Sequence, residues 1–171
     1  MVGKKTTDNK VWKMLPDSDY PKEVVSVERP TEQSAAKQVV TVVANQSEEK
    51  AVLTAMSFMA AFNAADPEVA RECLNYPHAR VGADGTLVIN ETASDQMPGD
   101  FFNIFRQRTG WNHSCWDLRE VIQSSEIKVH LKVTFSRYRT DGSLIGTYPS
   151  IWVMTEQDGH WGIKMRSSFA A

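Results

Sequence analysis

Two cysteines in 171 residues leave no disulfide framework to hold the chain. Cys73 and Cys115 are expected to be reduced thiols, which suits a cytoplasmic protein. No run of Lys or Arg occurs and the formal net charge is −2, so neither nucleic acid nor a membrane surface is an expected partner. The most apolar stretch, residues 51–65, is too short and too polar to span a bilayer. Residues 1–13 carry charges and no apolar core, so no secretory signal is expected. The sequons at Asn45, Asn90 and Asn112 are then expected to be chance matches. Gly-x-Gly-x-x-Gly, the Walker loop, His-Glu-x-x-His, Cys-x-x-Cys and Gly-x-Ser-x-Gly are all missing. Nucleotide, zinc and serine-hydrolase chemistry therefore have no support. No cofactor and no metal are expected, which leaves cofactor-free acid–base work.

What is present is a long run of strand signals near the C-terminus. Ile127, Val129, Leu131, Val133 and Phe135 alternate with Lys128, His130, Lys132, Thr134 and Ser136. Side chains change face at every residue of a strand, so this pattern predicts a half-buried strand. Thr140-Asp141-Gly142-Ser143 and Gln157-Asp158-Gly159 are turn signals, because Asp-Gly supplies the positive φ of a tight hairpin. Leu144–Thr155 and His160–Phe169 follow as strands. Strict alternation puts Trp161, Ile163, Met165, Ser167 and Phe169 on one face of the last. Leu144, Tyr148, Trp152 and Met154 share one face of the middle strand, and Ile145, Pro149, Ile151 and Val153 the other. Both faces are apolar, which predicts a homodimer through the face that the helices do not cover.

At 42% hydrophobic residues, 171 residues suffice for one well-packed core. Residues 1–46 form an N-terminal arm rich in Lys, Asp, Pro, Ser and Thr, broken by Pro16, Pro21 and Pro30. Two readings of the arm stand: a tail draped on the domain, or an extension that reaches a partner subunit. Its first twenty residues are expected to be dispensable for folding. Residues 39–43 suit either a strand or the approach to a helix. Residues 47–171 form the domain. A first helix starts near Asn45 or Ser47, where Asn45 and Glu48 fit a capping box, and buries Val52, Ala55, Met56, Met59 and Phe62. Asp66-Pro67 opens a second, with Val69, Ala70, Cys73 and Leu74 on its buried side. Tyr76–Val81 and Thr86–Ile89 flank the turn Ala83-Asp84-Gly85. A third helix presents Met97, Phe101, Ile104 and Phe105, and ends at Gly110. Trp111–Ser124 then leads into the meander. Helices segregated from an antiparallel sheet define an α+β fold.

The order helix, helix, hairpin, helix and meander resembles the nuclear-transport-factor-two-like superfamily. Within it, Asp141-Gly142, Gly146-Thr147-Tyr148, Asp158-Gly159-His160-Trp161-Gly162-Ile163 and Arg166-Ser167-Ser168-Phe169 resemble the SnoaL-like group over residues 47–169. The resemblance implies a cone-shaped fold, with helices on the concave face of a curved sheet and an apolar small-molecule pocket between them. It also implies one fold with many chemistries, from isomerases, dehydratases, cyclases and epoxide hydrolases to purely binding or assembly domains. Many members carry His where this chain has Met165, so one common polar pocket residue is missing.

The candidate acid–base groups are His78, His113 and Asp117, the ionisable side chains set among aromatic neighbours on the sheet. His113 and Asp117 are four residues apart on a strand, about 13 Å at about 3.3 Å per residue, so each needs a partner from another strand. Either face of residues 111–118 can be the inner one on sequence grounds. Tyr76, Trp111, Arg137, Tyr148, Trp152 and Ser167 are the candidate substrate contacts. Arg137 suits an acidic ligand at the pocket mouth or an ion pair with a helix carboxylate. His130 and His160 are expected in solvent. An enzyme on an apolar substrate and a non-catalytic binding domain both stand. A His and a carboxylate converging on a cavity would favour the first.

Overall fold

Helix α1 (Gln46–Ala64) begins where the capping signal puts it. The computed structural model describes residues 23–25 and 39–170, and in it the Asn45 side chain accepts from the Glu48 amide at 3.0 Å. The Glu48 carboxylate accepts in turn from the Ala44 amide at 2.6 Å, from Asn45 Nδ2 at 3.1 Å and from the Ser124 hydroxyl at 2.6 Å. The helix start is thereby satisfied and tied to the sheet at once. Ala51, Val52, Ala55, Phe58, Met59 and Phe62 form the buried stripe. Asp66 caps α2 (Pro67–Glu72), accepting from the Glu68 and Val69 amides at 3.1 Å each. Ala70, Cys73 and Leu74 are buried as expected, whereas Val69 is exposed.

β3 (Leu74–Val81) and β4 (Leu87–Asn90) form the expected hairpin. A short 3-10 helix (Ala93–Asp95) and α3 (Phe101–Thr109) follow. Met97 is buried and Phe101 and Phe105 of α3 pack against the core as expected, whereas Ile104 is exposed and Phe102 is buried in its stead. Gly110 closes the helix in the left-handed region at φ 70°, a conformation only glycine takes without strain. β5 (His113–Ser124), β6 (Lys128–Tyr138), β7 (Leu144–Gln157) and β8 (His160–Ser168) make the meander. The sheet runs β4-β3-β8-β7-β6-β5, all antiparallel except the β3–β8 pair. The result is an α+β fold: a large curved, unclosed mixed sheet with helices on one face.

Between the two readings of residues 39–43 the structure takes the strand. β2 (Thr41–Val43) pairs with β1 (Glu23–Val25) and lies against β5, the Thr41 hydroxyl donating to the Arg119 carbonyl at 3.3 Å. The rest of the arm, and the expectation that its first twenty residues are dispensable, lie outside the described residues.

The inner face of the sheet carries Trp116, Val129, Leu131, Val133, Phe135, Trp152, Met154 and Ile163, all buried. Trp152 meets the Phe58 ring of α1 edge-on at 5.5 Å, which fixes this face as the one under the helices. Among the one-residue bulges that interrupt the alternation, one lies at Asp117 in β5 and one at Lys164 in β8. A bulge reverses which side chains face in beyond it. Arg166 and Ser168 therefore point inward, paired with Trp152 and Ser150, while Met165 and Ser167 point out.

Candidate functional site

His113 and Asp117 occupy the outer face. His113 stands opposite Tyr138 and stacks on it at 5.2 Å. Asp117 accepts from the Ser136 hydroxyl at 2.7 Å, and Ser136 is 2.7 Å from the Thr147 hydroxyl, so the three form a polar ladder across β5, β6 and β7. Neither residue points between the helices and the sheet, and they do not converge with His78. Ser167 shares the outer face with them.

His78 does face inward and is fully buried. Its Nδ1–H donates to the Ile163 carbonyl at 2.9 Å, which fixes the tautomer and leaves Nε2 as acceptor. Nε2 takes the Nε–H of Arg166 at 3.2 Å. Burial, helped by the charge of Arg166, pushes the imidazole pKa down to about 3. At neutral pH the ring is uncharged and its lone pair is engaged. His78 is thus placed to orient Arg166 and not to take a proton from a ligand.

The polar groups that do look into the interior are cationic or hydroxylic. Arg166 keeps accessible surface although its charge is strongly desolvated. Burial, then the like charges of Arg80 and Arg137, push its pKa down to about 9, still charged at pH 7. Its guanidinium lies 4.8 Å from the Phe58 ring centroid and 5.9 Å from that of Trp152. Arg80 stands opposite Arg166 on the parallel neighbour β3 and donates one bond, to the Ala170 carbonyl at 2.7 Å. Arg137 lies over Phe105 at 4.9 Å and Tyr148 at 5.1 Å, its pKa pushed down by burial to about 10. The Tyr148 ring is half-buried, and no described residue hydrogen-bonds its hydroxyl. Gly146, two residues earlier on the same face, makes room for that ring: a Cβ there would come within 2.7 Å of the hydroxyl.

Among the predicted contacts, then, Arg137 and Tyr148 come together, and Trp152 lies on the same inner face beside Arg166. Trp111 is buried packing, its indole N–H donating to the Ser114 hydroxyl at 3.0 Å. Tyr76 donates to the Arg71 carbonyl at 3.2 Å and lines an open groove of ≈ 740 Å³ outside the cone, with Glu68, Ser94 and His160. Arg71 in that groove is already paired with Glu68 at 2.5 Å. Sequence reasoning missed Arg80 and Arg166. For Arg166 the cause is the bulge at Lys164, because strict alternation places it outside. For Arg80, pairing with Arg166 across two parallel strands is a tertiary fact. The signal available was a pair of arginines on apolar strands with no acidic residue at matching positions. Among the described residues no group of His, Cys, Asp or Glu is arranged to hold a metal ion.

A family model described as NTF2-like protein (DUF6841) matches residues 35–167. None of the curated proteins matches the sequence. Solved structures match the fold. A ketosteroid isomerase-like protein from Erwinia carotovora atroseptica is 12% identical, with 73% of this chain and 96% of that one covered and a TM-score of 0.54. An NTF2-like protein from Cytophaga hutchinsonii is 16% identical over 74% and 99%, TM-score 0.56. A cystatin-like-fold protein from Nostoc punctiforme is 11% identical over 74% and 93%, TM-score 0.57. Likeness at these identities is likeness of fold alone.

Proposed function

The chain belongs to the NTF2-like protein family (DUF6841), and from that premise we propose that it is a small-molecule-binding protein whose ligand lies between α1, α3 and the inner face of the sheet. The observation that carries this reading is Arg166, on the inner face beside Phe58 and Trp152, its charge strongly desolvated and its side chain still partly accessible. A charged side chain is costly to bury, and one that lines a cavity has room for a partner. Phe58 and Trp152 flank Arg166, and Phe105 and Tyr148 flank Arg137. In this reading the pocket binds and does not perform acid–base chemistry through His78, whose lone pair is taken. The protein works in a reducing compartment, the cytoplasm; neither cysteine is in a disulfide, and burial pushes the Cys73 thiol up to about 11. Among the described residues no helix is long and apolar enough to cross a membrane.

The test is uptake of a neutral solvatochromic dye such as Nile red by the full chain. Saturable single-site emission is expected, with energy transfer that falls in Trp152→Phe. Absence of saturable uptake would end the reading, and transfer untouched by that substitution would place the dye elsewhere.

A second reading, cofactor-independent acid–base catalysis, is favoured by the Tyr148 hydroxyl, an available donor beside the Arg137 guanidinium. Ketosteroid isomerase-like neighbours share the fold. Turnover of a carbonyl substrate that is lost in Tyr148→Phe while dye uptake persists would establish it.

A further inference from the structure

We propose that the interior pocket, taken as the small-molecule site above, is built for an organic anion: a carboxylate on an apolar body, gripped by Arg166 and Arg80. The two arginines face each other across adjacent parallel strands, whose spacing is about 4.8 Å. Like charges directly opposite each other destabilise a sheet, more so where water is scarce. Neither takes part in an ion pair among the described residues. The two ion pairs that occur there are Arg71–Glu68 and Lys132–Glu120, both elsewhere. Asp84 feels the charge of Arg80 without pairing with it, its carboxylate being taken by the amide and hydroxyl of Thr86. A carboxylate supplied by a ligand would supply the missing negative charge.

The geometry of Arg166 fits that task. His78 holds Nε, and the two terminal nitrogens bond to no described residue. Phe58 and Trp152 take the face of the guanidinium, which leaves its edge open. An edge held that way is the planar fork that meets a carboxylate with two parallel hydrogen bonds. The rings of Phe58 and Trp152 offer apolar surface to the remainder of the ligand.

Isothermal titration of the full chain with 4-phenylbutyrate, the matched neutral amide and inorganic phosphate tests this. The carboxylate is expected to bind about tenfold or more tightly than the amide, the difference one charge-assisted pair supports. Phosphate is expected to bind more weakly than the carboxylate. In Arg166→Gln the acid and amide should bind alike, with the affinity for the amide changed by less than about twofold. Should Arg166→Gln fail to fold by circular dichroism, Arg80→Gln, at the half-exposed position, is read for the same loss of discrimination. Equal binding of acid and amide by the wild type would overturn the anion inference and leave the pocket standing. Phosphate binding as tightly as the aryl acid would overturn the apolar body. Binding of none of the three overturns the inference, and if dye uptake is absent too, the pocket falls with it.

Discussion

At His78 one imidazole sets both its own protonation and the direction of a neighbour. The Ile163 carbonyl takes one ring nitrogen and Arg166 the other, so the ring is a spacer between a strand backbone and a guanidinium. Its pKa of about 3 has a consequence for stability. Between about pH 3 and the ordinary value near 6.5 the unfolded chain binds a proton that the folded chain does not. Stability therefore rises with pH across that window and is lost as pH falls through it, by about 1.4 kcal/mol per unit from this one group. In His78→Gln the amide can still donate to Ile163 and accept from Arg166. Urea denaturation between pH 4.5 and 7.5 should show the slope of stability against pH reduced by about one proton's worth. An unchanged slope would mean that His78 is not held neutral. The sequence offered this histidine as an acid–base candidate because it sits among apolar and aromatic strand residues, but its partners come from β8 and are invisible along the chain.

The strand β8 shows what element-level rules see and miss. Its start, Trp161-Gly162-Ile163, is readable from the turn before it and the apolar residues on either side. The glycine is there because β3 comes close: a Cβ on Gly162 would lie 2.6 Å from the Asn75 side chain and 2.8 Å from the Asn75 backbone nitrogen. The Asn75 amide is itself held by the Thr155 carbonyl at 2.8 Å and its hydroxyl at 3.0 Å, so it has little freedom to retreat. Gly162→Ala is expected to cost about 1–3 kcal/mol by overpacking, read by chemical denaturation. A neutral result would show that β3 can yield. Past Ile163 the alternation rule fails, because the extra residue Lys164 turns the face. The bulge at Asp117 turns the face of β5 from Leu118 on, while His113 and Asp117 lie on the outer face, where Asp117 joins a hydroxyl ladder.

Taken whole, the molecule covers one face of its sheet and leaves the other open. Ala79, Ile151, Val153 and Met165 lie side by side on the outer face, flanked by Leu87 and Ile89, which are 57% and 52% exposed. A patch of this kind is unusual on a monomer. We expect a second copy to cover it, because the patch carries opposite charges at its border, Lys132 and Glu120 at 3.6 Å, that a two-fold axis can repeat. Light scattering at micromolar concentration should give twice the 19.2 kDa of the chain, and Val153→Glu should halve it while leaving the helical signal intact. A mass of one chain for the wild type would refute the dimer.

Local chemistry decided the elements. Asn45 and Glu48 start α1, Asp66 and Pro67 start α2, Gly110 ends α3, and the Asp-Gly pairs turn the meander, each through contacts within a few residues. These signals, with the period of the apolar residues, were enough for an α+β fold, and the resemblance of the last-strand motifs pointed to its superfamily. The site was settled by relations between strands far apart in the chain. Whether Arg166 looks in or out depends on one bulge, and whether His78 is a base depends on what Ile163 and Arg166 do to it. The pairing of β3 with β8 brings Arg80 and Arg166 together across more than eighty residues of sequence. Register and long-range pairing are settled only when the whole core packs, so the charge at the centre of the cone belongs to the tertiary structure.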